Sequence, residues 1–338
     1  MAAEFNVPVV LMAFSRPQHT RAVFDRIAAI RPTRLFAIAD GPRSGRRDDV
    51  RNCRETRAVL DRVNWPCDLR TNFSDSNLGC AARISSGLDW VFDQVDRAII
   101  LEDDCVPDPS FFRFCAELLE RFKDDPRVRT VSGSSFLFGK TRTHWSYRFS
   151  IFHDIWGWAT WRRSWQRVDM AMRYWPQIRD EGWLFDMVGG DRAWAEFWAR
   201  RFNRAYERQI NSWAYPYLFS CWLDGSLAVT PNSNLISNTG VGEGATHTPH
   251  AAPYLNCPAE SLRFPLTHPP FIIRDRVSDG EMFKARLLPE RSSLLRRISR
   301  RIYYFLANKR DVGSVRLRQG RLVKHTLTMQ RSRELQST

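Results

Sequence analysis

Three consecutive carboxylates, Glu102-Asp103-Asp104, close the apolar run Ala98-Ile99-Ile100-Leu101. A short run rich in β-branched residues reads as a buried strand, so the acids fall at a sheet edge. Like charges placed there repel one another unless a cation joins them. Oxygen ligands favour a hard ion, Mg²⁺ or Mn²⁺, which commonly bridges one or two carboxylates to substrate phosphates. Taken alone, the trio also suits a solvated acidic turn ahead of the helix start Pro107-Asp108-Pro109-Ser110. Three more polar spots argue against that reading: Ser15-Arg16 after one apolar run, Asp40 after the next, and Asn77 to Arg83 after a third. A nucleotide needs such a set, with a carboxylate for base or ribose hydroxyls and cationic or helix-N-terminal donors for phosphates.

The elements that must position these residues alternate. Val7 to Phe14 is strand-like, and Ser15-Arg16-Pro17 starts a helix to about Ile30, with Pro at its first position. Leu35 to Ala39 is a second strand ending in the turn Asp40-Gly41-Pro42, followed by a helix over about Asp48 to Val63. Cys67 to Phe73 is a third strand, Asn77-Leu78-Gly79 opens a helix to about Gln94, and the acid-tipped strand follows. Helix Ser110 to Phe122 and strand Arg129 to Ser132 complete the first 135 residues. Alternation of this kind predicts a mostly parallel sheet covered on both faces, with ligands at the carboxyl ends of its strands.

Beyond residue 140 the texture changes: eleven of the thirteen tryptophans fall between Trp145 and Trp222. Most are expected to pack helices onto the sheet, while Trp156 and Trp158 are candidates for stacking on a sugar ring. Helices are expected over Asp191 to Glu207 and after Asn211-Ser212-Trp213, and strands at Ser226 to Thr230 and Asn234 to Asn238. Three glycines in five positions, from Gly240, suit the segment Thr239 to Thr248 to a lid over a donor diphosphate. In it Gly242, Thr246 and His247 would face phosphates and Glu243 the metal or acceptor side.

A chain of 338 residues, 43% hydrophobic and 26% charged, has the composition of a globular protein. It lacks a run of about 18 apolar residues and an evident leader, so a cytoplasmic location is expected. Seven cysteines without paired or zinc spacing read as reduced, packed thiols. Of the net charge of +14, about eleven units lie in residues 281–338. That segment reads as a basic tail whose stretch 294–306 mixes apolar and basic residues, so an anionic membrane surface is an expected partner. No nucleic-acid module appears.

The stretches PVVLMAFSRP, IADGPR, SNLGCAARISSGLDWVF and AIILEDDCVPDPSFFRF are together similar to GT-A glycosyltransferases. The chain resembles bacterial family 2-like enzymes and N-acetylglucosaminyltransferase I, and HDIWGWATWRRSW, INSWAYPYLFSCW and NSNLISNTGVGEGATHT look like further blocks of the bacterial group. The resemblance covers about residues 7–248. It implies an α/β, Rossmann-like three-layer sandwich of the nucleotide-diphospho-sugar transferase type with a mostly parallel central sheet. The domain would span 1–280, with a nucleotide-binding half (1–135) and a tryptophan-rich acceptor half (136–250). The resemblance also implies hexosyl transfer with inversion at the anomeric carbon. The sugar would pass from a nucleotide donor to a glycan or lipid-linked acceptor of polysaccharide biosynthesis, with Mn²⁺ or Mg²⁺ as cofactor.

By position, the resemblance implies that Arg16 and Asp40 contact the nucleotide together with Ser15, Asn77 and Arg83, that Asp104 is the direct metal ligand of a DXD-like motif, and that Glu102 and Asp103 meet donor hydroxyls. An inverting transfer needs a carboxylate within about 3 Å of the acceptor hydroxyl to take its proton. Many relatives carry Asp after the tryptophan matching Trp213, where this chain has Ala214. Asp154 and then Asp191 are the substitutes expected, with Trp156, Trp158 and Trp213 on the acceptor side. Two other functions share some of these features. A pyrophosphorylase-like nucleotidyltransferase would show a glycine-rich basic loop after its first strand, and Phe14-Ser15-Arg16-Pro17 offers none. A non-enzymatic basic surface-binding protein accounts for the tail but leaves the acidic strand end unexplained.

Overall fold

The computed structural model describes residues 4–240 and 257–287. Its first part runs β1 (Val9–Ala13), α1 (Pro17–Ile30), β2 (Arg34–Ala39), α2 (Arg47–Ala58), β3 (Asp68–Phe73), α3 (Cys80–Phe92), β4 (Arg97–Glu102), β5 (Cys105–Pro107), α4 (Pro109–Arg121) and β6 (Val128–Ser132). Then come β7 (Tyr147–Ser150), β8 (Trp158–Trp161), α5 (Arg162–Trp165), α6 (Trp175–Asp180), α7 (Trp183–Met187), α8 (Arg192–Tyr206), α9 (Ala214–Leu223), β9 (Leu227–Pro231), β10 (Ile236–Asn238) and α10 (Arg276–Met282). An eight-stranded sheet has the order β3-β2-β1-β4-β8-β6-β9-β7, and β5 pairs with β10 in a separate ribbon. The strands from β3 to β4 are mutually parallel, while β8 and β7 run against their neighbours. The expected layered α/β fold with a mostly parallel central sheet is therefore present.

Strand alternation divides the core into two faces. Val9 and Leu11 of β1, with Ile99 and Leu101 of β4, pack under α1 and α4 through Val23, Phe24, Phe111 and Leu118. Val10, Met12, Ala98 and Ile100 face the other way, against Ile84, Leu88 and Val91 of α3 and Tyr217 of α9. Both faces of the central strands are covered, so these runs are apolar throughout rather than alternating. A further apolar cluster joins α8 to the outer side of α9 through Trp198, Phe202, Phe219 and Trp222.

Register sets the edge that matters. Ala13 lies opposite Ala39, Ala39 opposite Phe73, and Met12 opposite Glu102. The residues after β1, β2, β3 and β4 thus leave the sheet side by side. Trp158, the first residue of antiparallel β8, lies opposite Ile100 and Ser132, so the loop before it reaches the same edge. Within that loop, buried His153 is fixed by Thr130 at 2.7 Å and the Ser226 carbonyl at 3.3 Å. Burial holds its imidazole neutral, with a pKa lowered to about 3. Among the described residues no helix is long and apolar enough to cross a membrane.

Candidate active site at the carboxyl edge of the sheet

Glu102 ends β4, and the next two residues turn the chain into β5. The Arg16 guanidinium, at the start of α1, grips the buried Asp103 carboxylate with Nε and Nη2. Its Nη2 also lies 2.9 Å from Asp104 Oδ2. Burial works against the charge of Arg16, but the two aspartates outweigh it and raise its pKa. Burial, then repulsion from Asp104 and Asp103, pushes the Glu102 carboxyl up to about 8. The Asp103 carboxyl is also raised by burial, with Arg16 opposing. One guanidinium therefore pairs with two aspartates, and Glu102 stands next to them at the end of β4.

A strap crosses this cluster. Asn238 of β10 pairs with Cys105 of β5, and the backbone N–H of Thr239 donates to the Asp104 carbonyl at 2.8 Å. The next residue, Gly240, packs so closely that a Cβ would collide with the Asp104 carboxylate and press on Arg16 Nη1. His19 of α1 reaches the Thr239 carbonyl at 3.3 Å. Thr239 and Gly240 begin the segment expected to form a lid; Gly242, Glu243, Thr246 and His247 lie outside the described residues.

Asp40, expected at the nucleotide, is occupied by the chain itself. Its Oδ1 accepts from the N–H groups of Gly41 and Leu78, both at 2.9 Å, and its Oδ2 from Gly79 N–H and Asn77 Nδ2, both at 3.0 Å. Those four donors use the ordinary capacity of a carboxylate, so Asp40 and Asn77 act by tying the loop after β2 to the turn before α3. Gly79 adopts φ +80°, open to glycine without strain. Asn211, missed in the sequence, caps the same helix by accepting from Ala81 N–H at 2.9 Å. At the start of α3 the N–H groups of Leu78, Gly79 and Ala81 are therefore already bonded within the chain.

Other expectations change as well. Arg83 is buried and donates to Asn72 Oδ1 at 2.7 Å, bracing α3 against β3. Trp158 and Trp213 are 0% and 1% exposed and stack on each other at 5.5 Å, so neither offers a face to an acceptor. Asp191 caps α8 through Trp194 N–H at 3.0 Å, the bond of a structural residue. Ser15 is half-buried after β1, and half-buried Trp156 stands on the acidic edge with its ring 5.5 Å from Phe136. Asp154 precedes it on that edge, 8% exposed.

A metal is compatible with this donor set. Asp104 keeps 14% of its side chain exposed and carries only oxygen donors, next to an excess of negative charge. Among the described residues no three acidic, histidine or cysteine side chains form a ready cage. An ion here would rest on one or two carboxylates and complete its shell from ligand oxygens or water, as Mg²⁺ commonly does.

No protein-family model and no curated protein matches the chain. Among solved structures, a mannosyltransferase from Pyrobaculum calidifontis in complex with GDP-Man and Mn²⁺ is similar at 13% identity and TM-score 0.34, covering 49% of this chain and 47% of its own. Mouse xyloside xylosyltransferase 1 gives 9% identity and TM-score 0.31, over 65% of this chain and 81% of its own. The 4-diphosphocytidyl-2C-methyl-D-erythritol synthase of Anaerococcus prevotii gives 8% and 0.30, over 48% and 74%. This chain thus spans about half the length of the mannosyltransferase. TM-scores this low carry no weight for the chemistry, which rests on the site itself.

Proposed function

We propose that the protein is a metal-dependent glycosyltransferase that moves a sugar from a nucleotide diphosphate to a glycan or lipid-linked acceptor, with inversion at the anomeric carbon. The observation that carries this reading is the convergence of Glu102, Asp103, Asp104 and Arg16 at the carboxyl edge of the sheet. Open α/β sheets bind ligands at that edge. Asp104 would hold the ion, Mn²⁺ or Mg²⁺, which when bound would neutralise charge on the departing diphosphate. Arg16 would supply the cationic donor to the phosphates, and Glu102 would meet donor hydroxyls. Asp103 orients Arg16. Trp156, half-buried on the same edge, would present an aromatic face to an acceptor sugar.

Asp154 is the carboxylate we assign as base, because its carbonyl accepts from Ser132 Oγ at 2.8 Å at the carboxyl end of β6, whereas Asp191 caps a helix. The test is a panel of sugar nucleotides with and without Mn²⁺, read first as thermal shift and then as product. One donor should stabilise the protein more with Mn²⁺ than without, and a sugar should appear on an acceptor. Release of a sugar phosphate and nucleoside triphosphate on adding pyrophosphate would instead establish the nucleotidyltransferase reading. In the same assay Asp154→Asn should retain donor binding and lose transfer by about 10²-fold or more; full turnover in that variant would remove Asp154 from the chemistry. The domain limits 1–280, the tail 281–338 and its attraction to an anionic membrane belong to this proposal, and residues 288–338 lie outside those described.

A further inference from the structure

We propose that Arg16 makes Asp104 selective for a divalent ion carried on a diphosphate over the same ion free in solution. This selectivity rests on the reading of Asp104 as metal ligand and adds a gate to it. Arg16 is anchored and exchangeable at once. Its bonds to Asp103 lie inside the protein, where that side chain is 5% exposed, while its bridge to Asp104 lies on the open side. A free ion approaching Asp104 meets a fixed positive charge and must break a 2.9 Å charge-assisted pairing. Arg16 receives nothing in return.

A diphosphate changes that balance. Its oxygens offer Arg16 a new acceptor, so the guanidinium can leave Asp104 without becoming unpaired, while Asp103 keeps it in place. The neighbouring arginines do not compete for that role. Arg43 is held by Asp49 at 2.6 Å, Arg57 by the Ser74 and Asp40 carbonyls, and Arg83 by Asn72. Asp40 and Asn211 already take the N–H groups of Leu78, Gly79 and Ala81 at the start of α3. Gly240 covers both Arg16 and Asp104, so the exchange is confined beneath the strap. Thr239 meanwhile fixes the Asp104 backbone, leaving the side chain to respond.

The test measures Mn²⁺ binding by the electron paramagnetic resonance of the free ion, on the full chain, without turnover. Wild type should bind Mn²⁺ alone weakly, and more tightly when UDP or GDP is present. Arg16→Gln should bind Mn²⁺ alone roughly ten-fold more tightly or better, the lower end of what an adjacent charge does to an ionisable group. It should also lose the enhancement by the nucleotide. Arg16→Met repeats the charge removal with an apolar stem, and circular dichroism checks that each variant folds. Arg16→Gln/Asp104→Asn should lose the tightened binding. If both Arg16 variants bind free Mn²⁺ no better than wild type while Asp104→Asn weakens binding of Mn²⁺ with nucleotide, the gate is overturned and the metal site stands. If Asp104→Asn changes Mn²⁺ binding in neither background, the metal reading itself falls.

Discussion

Asp104→Asn is expected to reduce sugar transfer by about 10²–10³-fold, the loss typical of deleting one preorganised electrostatic stabiliser. The substitution keeps size and shape but removes one negative charge and the strongest exposed oxygen ligand of the acidic edge. Its structural cost should be small. The Asp104 carbonyl keeps its bond from Thr239 N–H. The ion pair with Arg16 that the substitution removes is partly exposed, and such a pair is worth about 1 kcal/mol or less. Arg16 also retains Asp103. Turnover under saturating donor and Mn²⁺, alongside a thermal melt, separates the two effects. A folded Asp104→Asn protein with wild-type, metal-dependent turnover would remove Asp104 from the metal site.

That acidic edge was legible because it is local. An apolar run followed by three acids needs no distant partner to be read as a strand with a charged end. The same holds for β1 to β4 and for α4, whose cap Asp108 accepts from Ser110 N–H at 2.8 Å, as the Pro-Asp-Pro-Ser start implied. Strand β8 was not legible. All four of its residues, Trp158 to Trp161, are buried, so no alternation marks it and its tryptophans read as helix packing. Tyr147 to Ser150 failed for the same reason, all four being buried at the sheet margin.

Partners distant in the chain were the other blind spot. Aromatic density locates a tryptophan-rich region but says nothing about which ring faces are open, and Trp158 and Trp213 proved to cover each other. Arg16 could be assigned to a nucleotide from its place after a strand. Its bridge across 87 residues to Asp103 could not. Nor did Asn211 give any signal that it caps a helix beginning at Cys80. Of the glycine-rich segment only Gly240 lies among the described residues, and the collision a side chain would make there gives that one glycine a physical cause.

Asp40 carries four hydrogen bonds within the chain, and its replacement should have the largest effect on stability. Asp40→Ala would strip acceptors from the backbone N–H groups of Gly41, Leu78 and Gly79 and from the Asn77 amide. The site is 5% exposed, so water replaces those bonds poorly. At about 1–3 kcal/mol for each buried donor left unsatisfied, partly relieved by loop movement, a loss of about 3–5 kcal/mol is expected. Asp40→Asn should be intermediate. Its Oδ1 can still serve Gly41 and Leu78, but an amide nitrogen in place of Oδ2 would face two donors, Gly79 N–H and Asn77 Nδ2. Urea denaturation of the three proteins gives the order, and nucleotide binding should weaken in parallel as the turn before α3 loosens. An Asp40→Ala protein within about 1 kcal/mol of wild type would mean that the two loops hold their positions without this carboxylate.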